Sequence, residues 1–164
     1  MTAFRFLSLL LFAVSVLFQP LLATAAEGPQ QLRLVKIESP FSYYEGNVVV
    51  SGIYHEKIRE SEIGNFEAGL ICFSAEGPTE KLIPREHDSR SPWFCFSNTA
   101  EARAALKIPS NAPDGACYIV GTATVQISKY VVDKTMSEVH DTANLDKVIM
   151  FSKPTFKKEC SVFS

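Results

Sequence analysis

Basic runs are missing from this 164-residue sequence: 16 lysines and arginines face 18 aspartates and glutamates. Nowhere do the cations gather densely enough to follow a phosphate backbone, so nucleic acid is not an expected partner. The eight glycines stand singly, which removes the Gly-rich loop that cradles a phosphate. Close cysteine pairs are missing too. Cys72, Cys95, Cys117 and Cys160 are spaced by 23, 22 and 43 positions, far from the C-x-x-C spacing of a thiolate metal site. His55, His87 and His140 are scattered over 85 positions and lack the i, i+4 pairing of a helical zinc motif. No metal and no other cofactor is expected.

A membrane-length apolar run is also absent from the N-terminus. After Met1-Thr2-Ala3-Phe4-Arg5 the chain is mainly apolar from Phe6 to Phe18, about 13 residues, against the roughly 20 needed to cross a bilayer. Gln19-Pro20 ends the run, and Ala23-Thr24-Ala25 and Thr24-Ala25-Ala26 both suit cleavage. This is the pattern of a secretory signal peptide over residues 1–26. The expectation is an exported protein, in the periplasm or the medium, whose mature residues 27–164 form a single domain. With Arg5 removed, 15 basic and 18 acidic residues remain, a formal charge of −3.

Four cysteines in an oxidising compartment imply two disulfides, with three pairings open. Cys72 with Cys95 and Cys117 with Cys160 is the preferred set, the first joining neighbouring strands and the second tying the tail to the body.

Hydrophobic alternation then predicts strands over 31–38, 47–54, 66–73 and 93–96, the last a short aromatic segment, Trp93-Phe94-Cys95-Phe96. Between the last two lies an excursion, Glu76 to Pro92, rich in proline and charge. A helix is expected after Asn98, with Glu101 three positions on, apolar Ala102, Ala105 and Leu106, and Pro109 as its stop. Cys117 to Val132 is the longest β signal. Ile119, Gly121, Ala123, Val125 and Ile127 alternate with Thr122, Thr124, Gln126 and Ser128. Asp133 to Asp146 reads as a polar loop and Lys147 to Ser152 as a final strand. This order resembles a small OB-like barrel, mostly β, with one helix between the third and fourth main strands and the 93–96 strand as an elaboration of the third. A disulfide-stapled β-sandwich is the alternative.

No side-chain pattern points to catalysis. His87-Asp88 and His140-Asp141 pair a base with a carboxylate, but neighbours in an extended chain point apart. The basic cluster Lys153, Lys157, Lys158 reads as a solvated tail. Aromatic rings beside turns are the better candidates: Tyr43, Tyr44 and Trp93 are expected on the surface, where such rings take up sugars or peptide side chains. The functional expectation is an exported binding module for a protein, peptide or glycan. An inhibitor acting through the 76–92 excursion and a small hydrolase using His87 or His140 are the alternatives.

Overall fold

The computed structural model describes residues 31–58, 69–85, 90–135 and 139–160. The expected signal peptide, residues 66–68 of the expected third strand, and His87-Asp88 lie outside these ranges.

Among the described residues seven strands make one sheet, and the structure is mostly β. β1 (Arg33–Glu38) and β2 (Phe41–Lys57) form a hairpin; β3 (Ile71–Ala75) follows, and after the excursion comes β4 (Trp93–Phe96). Helix α1 (Thr99–Ala105) leads to β5 (Tyr118–Asp133), β6 (Asp141–Phe151) and β7 (Thr155–Lys157). β2 pairs along its length with β5 on one edge, and on the other with β1 over its first residues and β3 over its last. β3 pairs with β4, β4 runs parallel to β6, and β6 returns to β5. The pairings therefore run β2, β3, β4, β6, β5 and back to β2.

Two assignments change as a result. The strand over 33–38, expected as the first barrel strand, lies outside this ring as an edge, and the short 93–96 strand is a full member. The stretch 141–146, expected as loop, is the first half of β6, because Asp141, Ala143 and Leu145 alternate inward and are buried.

Inward residues supply the core: Val48, Val50 and Tyr54 from β2, Phe73 from β3, Phe94 and Phe96 from β4, and Val125, Ile127 and Tyr130 from β5. Phe73 stacks on Phe94 at 5.4 Å, and Phe94 meets Tyr130 edge-on at 5.7 Å. A glycine inside a strand marks a place where another group approaches the backbone closely. A Cβ on Gly52 would sit 2.0 Å from the Ser74 carbonyl oxygen, and one on Gly121 would meet the Tyr54 ring within 2.7 Å.

The helix buries Ala102 and Leu106, as the spacing predicts, while Ala105 stays exposed. Asn98 precedes it but does not cap it with its side chain. Its amide instead bridges to β6, donating to the Leu145 carbonyl at 2.9 Å and accepting from the Leu145 N–H at 2.8 Å. Both disulfides follow the preferred pairing. Cys72 and Cys95 stand opposite each other on β3 and β4, and Cys160 returns to Cys117 at the head of β5.

Candidate functional site

The three aromatic candidates do not form one surface. Tyr44, expected outside, is 4% exposed and meets Tyr130 edge-on at 6.3 Å. β2 begins at Phe41 rather than at 47, so the alternation turns Tyr44 inward with Ser42. Tyr43 faces out, half-buried, with Lys36 Nζ 5.8 Å from its ring centroid. Trp93 is half-buried at the start of β4, against the His140 ring at 5.8 Å. Following the register from Tyr43 through Val131 and Thr142 to Cys95 crosses three strand spacings, about 14 Å.

At that end of the sheet the dominant group is Asp141. Its side chain is out of water, yet it carries a charge between two arginines. Oδ2 accepts from Arg85 at 2.9 Å and from the Tyr130 hydroxyl at 2.6 Å; Oδ1 accepts from Arg90 at 3.3 Å and from the Asp133 N–H at 3.1 Å. Arg85 also donates to the Ser91 carbonyl, and Arg90 to those of Val139 and Asp133. Burial first, and then the Asp141 charge, hold the Tyr130 hydroxyl protonated well above the usual phenol range. Four donors thus satisfy this buried carboxylate. Its role is anchorage: it holds Arg85 and Arg90, which stand on either side of residues 86–89 in the sequence. His140 and Asp141 do not act together, since the imidazole packs on Trp93 while the carboxylate points into the core.

The other end of the sheet holds a cleft open to solvent. It is about 550 Å³, lined by Lys107, Pro109, Phe151, Lys153, Pro154 and Phe156. Each wall has a local cause. Past α1, the N–H of Lys107 bonds the Ala104 carbonyl and the N–H of Ile108 bonds that of Arg103, at 3.2 and 3.0 Å. This Schellman ending buries Leu106 and Ile108 and requires a left-handed residue between them. Lys107 takes that position, at φ 53°, where glycine is the usual occupant. Its Nζ lies 5.6 Å from the centroid of the Phe151 ring, within cation–π range.

Phe156 is carried by β7, paired to Ile119 of β5. β7 itself is short and exposed, and is held by the Cys117–Cys160 disulfide, by the Cys117 N–H on the Lys157 carbonyl at 2.7 Å, and by the Tyr118 hydroxyl on the Cys160 carbonyl at 3.3 Å. Lys153, expected in a solvated tail, thus stands on the rim of a cleft.

Phe151 also borders a second groove, about 670 Å³, where Ser51, Thr122, Thr124 and Ser152 present hydroxyls, Glu76 adds a carboxylate and Met150 is exposed. Ser51 and Thr124 are hydrogen-bonded across β2 and β5 at 2.8 Å. One ring therefore divides a hydroxyl-lined groove from a lysine-lined cleft. Alternation places Thr122 and Thr124 on the outer face of β5, but the cleft depends on Lys107, 44 positions from Phe151, and on a disulfide that brings β7 back.

No protein-family model matches the chain, and no curated protein and no solved structure matches it.

Proposed function

We propose that the chain is an exported binding module on an OB-like barrel, and that the Phe151 cleft and its adjoining groove hold an acidic oligosaccharide. The ring of pairings, the parallel β4–β6 contact and a helix between the third and fourth strands of the ring support the barrel reading. Two disulfides fit an oxidising exported environment.

The observation that carries the ligand reading is the position of Phe151. Its apolar face suits a sugar ring, Lys107 and Lys153 beside it suit carboxylates, and the hydroxyls of Ser51, Thr122, Thr124 and Ser152 suit the polar rim of the same chain. Two lysines in a protein with more acidic than basic residues select for anionic over neutral ligands.

Titration calorimetry of the oxidised protein with tetragalacturonate and with maltotetraose tests this. The acidic oligomer should bind at least tenfold more tightly than the neutral one, and Phe151→Ala should remove the heat. Silence from both sugars, equal binding of both, or unchanged binding by Phe151→Ala overturns the reading.

A second reading, an inhibitor acting through the 76–92 excursion, is favoured by one feature, the clamp of Arg85 and Arg90 on Asp141. Residues held in this way lose little entropy on docking. The hydrolase alternative receives less support. The contact of His140 with Trp93 supplies neither a nucleophile nor a carboxylate.

A further inference from the structure

β1 is the part of the molecule whose surroundings agree least with its composition. All six residues of Arg33–Glu38 are exposed, and they include Leu34, Val35 and Ile37, the last 64% exposed. Among the described residues the strand pairs on one side only, with β2, so its other edge presents backbone groups to solvent. Exposed edges of this kind invite a further strand.

The order of charges indicates which strand. Between Leu34 and Lys36 the register slips by one, so Arg33, Lys36 and Glu38 lie on one face opposite Glu45, Tyr43 and Phe41, while Leu34 and Ile37 lie on the other, opposite Tyr44 and Ser42. When β1 is laid antiparallel against the same strand of a second copy, Arg33 faces Glu38 and Leu34 faces Ile37. Each pair occurs twice, and every pair keeps its two side chains on one face. The slip at Val35 is what makes this possible, because without it residues 33 and 38 would fall on opposite faces. Lys36 meets its counterpart at the centre, with Glu38 of its own chain already paired to it. On the apolar face, Leu82, 45% exposed, shares a groove with Leu34 and adds to what a second copy would cover.

We propose that the protein forms a two-fold symmetric dimer by antiparallel pairing of β1 with β1 of a second copy, which extends the sheet across the axis. The contact is isologous, and both ion pairs and both apolar pairs follow from one strand's own order of residues. This proposal is independent of the ligand reading, since β1 borders the start of β2 and the Phe151 cleft lies at the opposite end of the sheet.

Sedimentation equilibrium of the full oxidised protein reads the outcome. The wild type should be a dimer at micromolar concentration, and Ile37→Lys a folded monomer. Arg33→Glu and Glu38→Arg should each weaken association at least tenfold, since each sets like charges opposite one another twice. Mixing the two single variants should restore the dimer, because one chain then carries acids at both positions and the other carries bases at both, so each of the two contacts again joins opposite charges. A monomeric wild type, a dimer indifferent to Ile37→Lys, or a mixture no tighter than its parts overturns the proposal. Thermal melts of each variant separate loss of association from loss of fold.

Discussion

The Tyr130 hydroxyl donates to the Asp141 carboxylate at 2.6 Å in a region closed to water, and that bond joins the end of β5 to the start of β6 while Arg85 and Arg90 dock the excursion on the same carboxylate. One side chain thereby fixes three segments. A buried ion supported by charge-assisted bonds is weak evidence of net stability, but removing one partner leaves the others uncompensated.

Asp141→Asn should therefore lower unfolding stability by about 3 kcal/mol, since two arginines lose their counter-charge where water is scarce. Tyr130→Phe, which removes one donor and keeps the ring against Phe94, should lower it by about 1 to 2 kcal/mol. Urea denaturation followed by fluorescence checks both. An Asp141→Asn protein with wild-type midpoint and slope would show that the cluster is an ornament of the fold rather than an anchor.

His55 makes stability depend on pH. It is buried beside the Tyr118 ring, and desolvation lowers its pKa to about 4, against about 6.5 when unfolded. Between those values the unfolded chain binds a proton that the folded chain refuses, so stability rises with pH. The contribution is complete above pH 6.5 and is lost as pH falls through the window toward 4, by at most about 3 kcal/mol. Denaturation midpoints from pH 7.5 to 4.5 should fall for the wild type and fall less for His55→Gln. Parallel slopes for the two proteins would remove His55 from the account.

Much of this architecture was legible locally. The aromatic segment at 93–96, the alternation along 118–133 and the buried pair Ala102 and Leu106 each follow from a period of 2 or 3.6 that neighbouring residues state without outside help. Asp141 was not legible. A carboxylate at an inward strand position contradicts the hydrophobic pattern unless its partners are known, and Arg85 and Arg90 lie 56 and 51 positions away. Tyr44 failed for a related reason. Its nearness to Gly46 suggested a turn, but the strand runs through that glycine with a shift of register on the β5 side. The Phe151 cleft was hidden because its walls meet only after α1 ends and the tail returns.

The two disulfides should differ in what they protect. They close chain segments of 23 and 43 residues, and constraint of the unfolded chain makes each worth about 3 to 4 kcal/mol. Cys72 and Cys95 staple strands that are already paired, so Cys72→Ser with Cys95→Ser should lower the melting temperature and leave tetragalacturonate affinity near wild type. Cys117→Ser with Cys160→Ser should lower both, because β7 then holds Phe156 through hydrogen bonds only, with no covalent tie to β5. Calorimetry on the two double variants distinguishes the cases, and equal affinities would detach the cleft from β7.

Lys107 offers the sharpest separation of fold from function. A lysine in the left-handed position of a Schellman ending costs about 1 kcal/mol relative to glycine, which has no Cβ to crowd the following carbonyl. Strain of this sort is retained where the side chain has work to do, and here the side chain places an ammonium over Phe151. Lys107→Gly should therefore raise unfolding stability by about 1 kcal/mol while weakening tetragalacturonate at least fivefold. Lys153→Ala should weaken the ligand without the gain in stability, because Lys153 is not among the residues with left-handed backbone. A Lys107→Gly protein that gains stability and keeps its affinity would show the lysine to be incidental, and would leave Phe151 and Phe156 to account for the cleft by stacking alone.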